Sequence, residues 1–142
     1  MASVVAADQM GERVGVRGAY ERYVRTFGTK RVDEIVKLHA DDGIFWLHTG
    51  REAVRGRPAI EAAFQGFFDA WPEFGFEIYR TMFTESAWIL DWAVTAVLKG
   101  ADGAPRKIKF HALDIVDVDD DGQVARKETF IDLAQVKAAL EG

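Results

Sequence analysis

Two carboxylates stand in apolar surroundings where an acid needs a reason. Asp114 continues the row Ile108, Phe110 and Ala112, in a segment whose period-2 alternation marks a strand. Asp91, in WILDWAV, interrupts a second apolar strand on the face of Ile89, Ala93 and Thr95. A lone acid in such a row is either a proton-transfer group or the anchor of a buried hydrogen-bond network. If the face of Asp91 is the inner one, Asp91 is the better general base. His48 is a further candidate, because its ordinary pKa lies close to neutrality. Alternation sends His48 to the side opposite Leu47, and a bulge before Gly50 would turn it back.

The most conspicuous motif carries less. Asp117, Asp119, Asp121, Gly122 and Glu128 fit the spacing of a calcium-binding helix–loop–helix, with Val124 at the usual apolar position. That motif needs helices on both sides, whereas both flanks here alternate as strands, so an Asp-Gly hairpin turn is expected. Glycine-rich phosphate loops, a G-x-S-x-G elbow, and H-x-H or H-E-x-x-H spacing do not occur. No metal and no cofactor is called for.

The elements that must hold these residues follow from periodicity. Residues 1–11 form a flexible leader, and residues 12–142 form one domain. Val16, Tyr20, Tyr23, Val24 and Phe27 fall at helical spacing before Gly28, and a second amphipathic helix spans 32–40, ending at Asp41, Asp42 and Gly43. A strand over 44–48 leads through a polar loop to a third helix, which opens at Pro58 and carries Ile60, Ala63, Phe64, Phe67, Phe68 and Trp71. Strands are predicted over 74–84, 88–99, 106–118 and 124–131, and Asp132 caps a short closing helix over 133–140.

Helices first and antiparallel strands after make an α+β fold. The expectation is a cone-shaped barrel of a curved antiparallel or mixed sheet, with three N-terminal helices and a short C-terminal helix around an apolar cavity. Leu47, Phe64, Phe67, Phe68, Trp88, Trp92, Phe110 and Thr129 are the candidate lining, although a plain core uses the same aromatic side chains.

Composition narrows the classes. A net charge of -5 with scattered basic residues argues against a nucleic-acid surface. There is no cysteine, so thiolate chemistry and disulfides are absent, which suits a cytoplasmic location. No basic-then-apolar leader is read, and no run approaches the roughly 20 apolar residues needed to span a bilayer.

The stretch RYVRTFGTKRVDEIVKLHADDGIFWLHTGREAVRGRPAI resembles the opening of the ketosteroid isomerases, in the nuclear-transport-factor-2-like superfamily that also holds the SnoaL-like polyketide cyclases. The likeness lies in the RYV of the first helix, the ADD corner and the spacing to G-x-x-AI, and it extends over about residues 14–132. It implies that Tyr23 and Asp114 hydrogen-bond a developing enolate. For Asp114 this requires a carboxyl kept neutral by desolvation, as in the ketosteroid isomerases. The family's base position falls on Leu47, so His48 or Asp91 would have to replace it. The last-strand aspartate of the cyclases falls on Thr129. Lys127 shares the parity of Thr129 and either pairs with Asp114 or, as expected here, snorkels to the rim. His111 is read as structural and His39 as a helix-surface residue.

The resemblance thus implies a cofactor-free enzyme of isomerase or polyketide-cyclase type, acting on a hydrophobic carbonyl-bearing small molecule. Two alternatives stand beside it: a non-catalytic binding protein of the same fold and a homodimeric assembly domain. Expected partners are a hydrophobic small molecule and a second copy of the chain, without nucleic acid or membrane.

Overall fold

The computed structural model describes residues 15–100 and 102–141. The expected leader and residues 12–14 of the expected first helix lie outside that range. Helix α1, Val16–Phe27, buries Ala19, Tyr23 and Phe27, spaced by four, and Gly28 donates its backbone N–H to Val24 at 3.0 Å. Helix α2 spans only Val32–Val36.

The expected continuation of that second helix to Ala40 is corrected. Strand β1 runs His39–His48, and pairing has begun at Leu38, whose carbonyl accepts from the Val124 N–H at 2.8 Å. Between His39 and Ile44 the register against the partner strand slips. Gly43 sits in the slip, where an added Cβ would lie 3.0 Å from the Ala40 carbonyl oxygen and 3.2 Å from that of Val124. Its lack of a side chain lets the strand bend there.

A two-residue strand β2, Val54–Arg55, lies in what reads locally as loop. Gly56, at φ 91°, turns the chain into helix α3, Arg57–Ala70, with Pro58 in its first turn. Four long strands follow near their expected bounds: β3 Gly75–Phe83, β4 Ala87–Lys99, β5 Pro105–Val118 and β6 Val124–Ile131. Helix α4, Leu133–Glu141, closes the described chain, with Asp132 Oδ1 accepting from the Gln135 N–H at 3.1 Å.

The sheet order is β2-β1-β6-β5-β4-β3, with β1 and β6 parallel and every other neighbouring pair antiparallel. This is the expected α+β cone with a curved mixed sheet, left open because β2 and β3 remain edges. Its inner face packs against α1, α2 and α3 through one core that includes Tyr23, Phe27, Ile35, Phe64, Trp88 and Phe110. The acidic segment between β5 and β6 is a hairpin turn. Asp119 Oδ1 accepts from the N–H groups of Asp121 and Gln123, each at 2.9 Å, and Gly122 adopts φ 80°. No helix among the described residues is long and apolar enough to cross a membrane.

Candidate active site

Register decides what meets inside the cone. Alternation along β5 buries Ile108, Phe110, Ala112 and Asp114 in turn. Asp114 lies opposite Leu90 of β4 on one side and Thr129 of β6 on the other. Across the parallel pair, Phe45 faces Lys127 and Leu47 faces Thr129. Three polar side chains, Asp114 of β5 with Lys127 and Thr129 of β6, therefore project from neighbouring strands into an aromatic interior.

Asp114 is 3% exposed, and one of its oxygens accepts two hydrogen bonds. Its Oδ1 accepts from the Thr129 hydroxyl at 2.8 Å and from the Trp92 indole N–H at 3.1 Å. Its Oδ2 stands 3.7 Å from Lys127 Nζ. Burial pushes the Asp114 carboxyl above its usual range, against the lowering influence of Lys127, Thr129 and Trp92. Lys127 is equally buried at 3% exposure, and the same desolvation lowers its ammonium against the opposing pull of Asp114. Both shifts move the pair toward its uncharged form. The expectation that Lys127 reaches the rim is corrected: Phe45 and Thr129 share its inward face, and its Nζ lies 4.4 Å from the ring centre of Phe27 and 4.7 Å from that of Tyr23.

Lys127 Nζ also donates to the Tyr23 hydroxyl oxygen at 3.3 Å. That hydroxyl lies 2.8 Å from His39 Nε2. The Tyr23 hydroxyl therefore bridges Lys127 and His39. Tyr23 and Asp114 do line one cavity, but the amine of Lys127 stands between them and the Tyr23 hydroxyl is already engaged by Lys127 and His39. Burial and, secondarily, the Asp114 charge raise the Tyr23 phenol well above its ordinary value, so it stays protonated.

His39 is the second correction. Expected on a helix surface, it is fully buried at the start of β1, edge-on to the rings of Tyr23 and Phe64. Arg57 holds its backbone in place by donating Nε–H to the His39 carbonyl at 2.9 Å. Burial, then the charges of Lys127 and Arg57, lower the imidazole from 6.5 to about 3. The unfolded chain therefore takes up a proton near pH 6.5, and the native state does so only near pH 3. In that window the unfolded state binds more protons, so native stability falls as the pH is lowered through it. His39→Gln, whose amide can still accept from Tyr23, is expected to flatten this dependence. Urea midpoints measured from pH 7 to 4 check it, and parallel curves for the two proteins would exclude a neutral buried imidazole.

The two replacement bases lie elsewhere. Asp91 points to the outer face and accepts from Arg80 Nε at 3.0 Å, because its parity on β4 is opposite to that of Trp88, Leu90 and Trp92. His48 is on the outer face as well, since no bulge re-aims it. Its ring stacks between Trp46 at 4.2 Å and Phe130 at 3.9 Å, and its Nε2 meets Glu128 Oε1 at 2.9 Å. The expectation that either turns a base inward is corrected. His111 is on the outer face too, tilted against Tyr79.

The cavity is apolar but small. One space of about 20 Å³ is lined by Tyr23, Val24, Phe27, Phe76, Trp88, Leu90, Trp92, Asp114 and Lys127. A second, of about 10 Å³, is lined by Phe27, Phe45, Leu47, Phe64, Phe67, Trp92, Lys127 and Thr129. Phe27, Trp92 and Lys127 belong to both walls. Each space holds about one water, so a ligand must displace side chains. Leu47 and Phe67 also line an outer groove of about 360 Å³ bounded by Trp71, Ile131, Leu133 and Val136, which makes them the partition between groove and interior. Of the expected lining, Leu47, Phe64, Phe67, Trp88, Trp92 and Thr129 border these inner spaces. Phe68 and Phe110 do not: Phe68 packs on Phe27 and Phe74, and Phe110 on Trp71. Among the described residues no cluster of three or more His, Cys, Asp or Glu side chains is placed to hold a metal ion.

Comparison with known proteins agrees with this architecture. A family model for the SnoaL-like domain matches residues 20–127. No curated protein matched the sequence. Among solved structures, a protein from Shewanella putrefaciens CN-32 assigned as a SnoaL-like polyketide cyclase superposes with a TM-score of 0.77 at 16% identity, covering 96% of this chain and 92% of that one. The epoxide hydrolase/cyclase-like enzyme SalBIII, which has a role in pyran ring formation in the polyether salinomycin, gives 0.71 at 16% identity, covering 84% and 92%. An LEH-like epoxide hydrolase of M. tuberculosis gives 0.70 at 16% identity, covering 91% of each chain. At such identities the likeness is one of fold.

Proposed function

The chain belongs to the SnoaL-like domain family, and from that premise we propose that it is a cofactor-free enzyme of isomerase or cyclase type, acting on a hydrophobic carbonyl-bearing small molecule. The observation that carries this reading is the buried carboxyl of Asp114 in the wall of an aromatic cavity, with a lysine amine 3.7 Å away. Asp114 can exchange a proton with a bound ketone, since burial brings its proton affinity toward that of a working acid–base group. Trp92 and Thr129 hold it in one orientation, which is what proton transfer to a defined carbon requires. A substrate enters by displacing Leu47 and Phe67 from the floor of the outer groove. A cytoplasmic location and a single domain complete the reading.

A binding protein without catalysis is the second reading. It is favoured by the engaged hydroxyl of Tyr23 and by the outward direction of Asp91 and His48. A homodimer is also proposed, through the outer sheet face where Tyr79, Met82, Leu113 and Phe130 are exposed; sedimentation tests it.

The deciding measurement is α-proton exchange of apolar ketones in D2O, followed by NMR with the wild type and Asp114→Asn. An enzyme of this type catalyses exchange, and the variant loses about 10²–10⁴-fold of it. Ligand-induced thermal stabilisation without exchange supports the binding protein, and neither effect refutes both readings.

A further inference from the structure

Lys127 is unlike every other lysine of the chain. Lys30, Lys37, Lys99, Lys107, Lys109 and Lys137 are exposed, whereas Lys127 is buried in the wall common to both inner cavities. An ammonium carries three donors, yet among the described residues one acceptor, the Tyr23 oxygen at 3.3 Å, lies within hydrogen-bond reach of Nζ. The Asp114 oxygen at 3.7 Å is beyond that reach, and the other neighbours are the ring faces of Tyr23, Phe27 and Phe64. A free amine suits this site better. It keeps one N–H on Tyr23 and leaves a lone pair free to face the cavity.

We propose that Lys127 is a nucleophile that forms an imine with a ketone or aldehyde carbonyl entering the cavity. This rests on the reading that the cavity admits a carbonyl compound, and it adds a covalent step to it. The Nζ lone pair attacks the carbonyl carbon, a C–N bond forms, and the C=O π electrons move to oxygen, which takes a proton from Asp114. A second proton from the nitrogen, relayed through Asp114, lets the carbinolamine oxygen leave as water, giving a protonated imine. The Asp114 carboxylate then removes a proton from the α-carbon to give an enamine. Reprotonation at another carbon isomerises the substrate, and attack of the enamine on a second carbonyl closes a ring. Hydrolysis consumes one water, equal to the one released, and restores the amine. Desolvation favours the sequence, because it moves Lys127 toward the free base and Asp114 toward the acid that the first step needs.

The test is reductive trapping at pH 7 with acetone or cyclohexanone and sodium cyanoborohydride, which adds hydride to an iminium carbon and leaves a stable secondary amine. Peptide mass mapping of the wild type locates the adduct. Modification of Lys127 is expected to be roughly tenfold faster or more than at any exposed lysine, because burial moves Lys127 toward the free base that attacks a carbonyl. The Lys127 adduct disappears in Lys127→Arg and Lys127→Met. Thermal stabilisation by cyclohexanol, which can fill the cavity but cannot form an imine, is measured alongside. Stabilisation by cyclohexanol with no adduct at Lys127 overturns the nucleophile and leaves the binding reading standing. Adducts confined to exposed lysines overturn it as well, and the absence of both stabilisation and adduct removes both.

Discussion

Asp114→Ala is expected to cost about 2–5 kcal/mol of folding stability, because two buried donors lose their acceptor. The substitution orphans the Trp92 indole N–H and the Thr129 hydroxyl, each now bonded to the lost oxygen, and it removes the carboxyl that faces the Lys127 amine. An unsatisfied buried donor alone costs about 1–3 kcal/mol. The double substitution Asp114→Ala with Lys127→Met should recover only part of the loss, since it removes the buried amine but leaves the Trp92 N–H and the Thr129 hydroxyl without their acceptor. Asp114→Asn, which keeps an acceptor for Trp92 and Thr129, should lie between. Urea denaturation followed by tryptophan fluorescence measures all four proteins. A loss below about 1 kcal/mol for Asp114→Ala would place the carboxyl outside any coupled network.

Phe64→Ala is the second large effect, at about 3–5 kcal/mol. Phe64 is 1% exposed, with ring contacts to Phe45 at 4.7 Å, His39 at 5.4 Å and Phe27 at 5.9 Å. Little can collapse into its place, because strands set Phe45 and His39 and a helix sets Phe27. The space it vacates adjoins the cavity lined by Leu47, Phe67 and Lys127. The variant should therefore bind cyclohexanol with a larger thermal stabilisation than the wild type, recovering part of what was lost. Calorimetry with and without the ligand checks both halves. A stability loss without any ligand-dependent recovery would mean that the vacated volume is cut off from the outer groove.

How much of this was legible depends on the range of the interaction concerned. The strands from β3 to β6 were readable because alternation is local and turn residues mark their ends. Asp114 on the inner face followed from the same period-2 count. His39 was not readable: helical spacing runs through Leu38–Ala40, and pairing with Val124, some 85 residues on, pulls the segment into a strand. Lys127 was half readable. Its parity put it inward with Thr129, but a long side chain can leave an inner face by the rim, and only the closed aromatic surroundings decide that it stays. Asp91 and Asp114 looked alike in sequence, each a lone acid in an apolar strand. The side on which the helices pack made one a buried partner of Lys127 and the other an outer-face partner of Arg80.

The amino-acid sequence by itself determined the order of the elements other than the short β2, the alternation along the strands and the family resemblance, because these rest on periodicity and turn chemistry within short windows. Tertiary structure alone decided which polar groups share the cavity. The parallel register of β1 with β6 and the slip at Gly43 bring His39, Lys127, Thr129 and Asp114 together from three strands. Burial, which no single segment sets, then turns an ordinary lysine and aspartate into a pair driven toward neutrality.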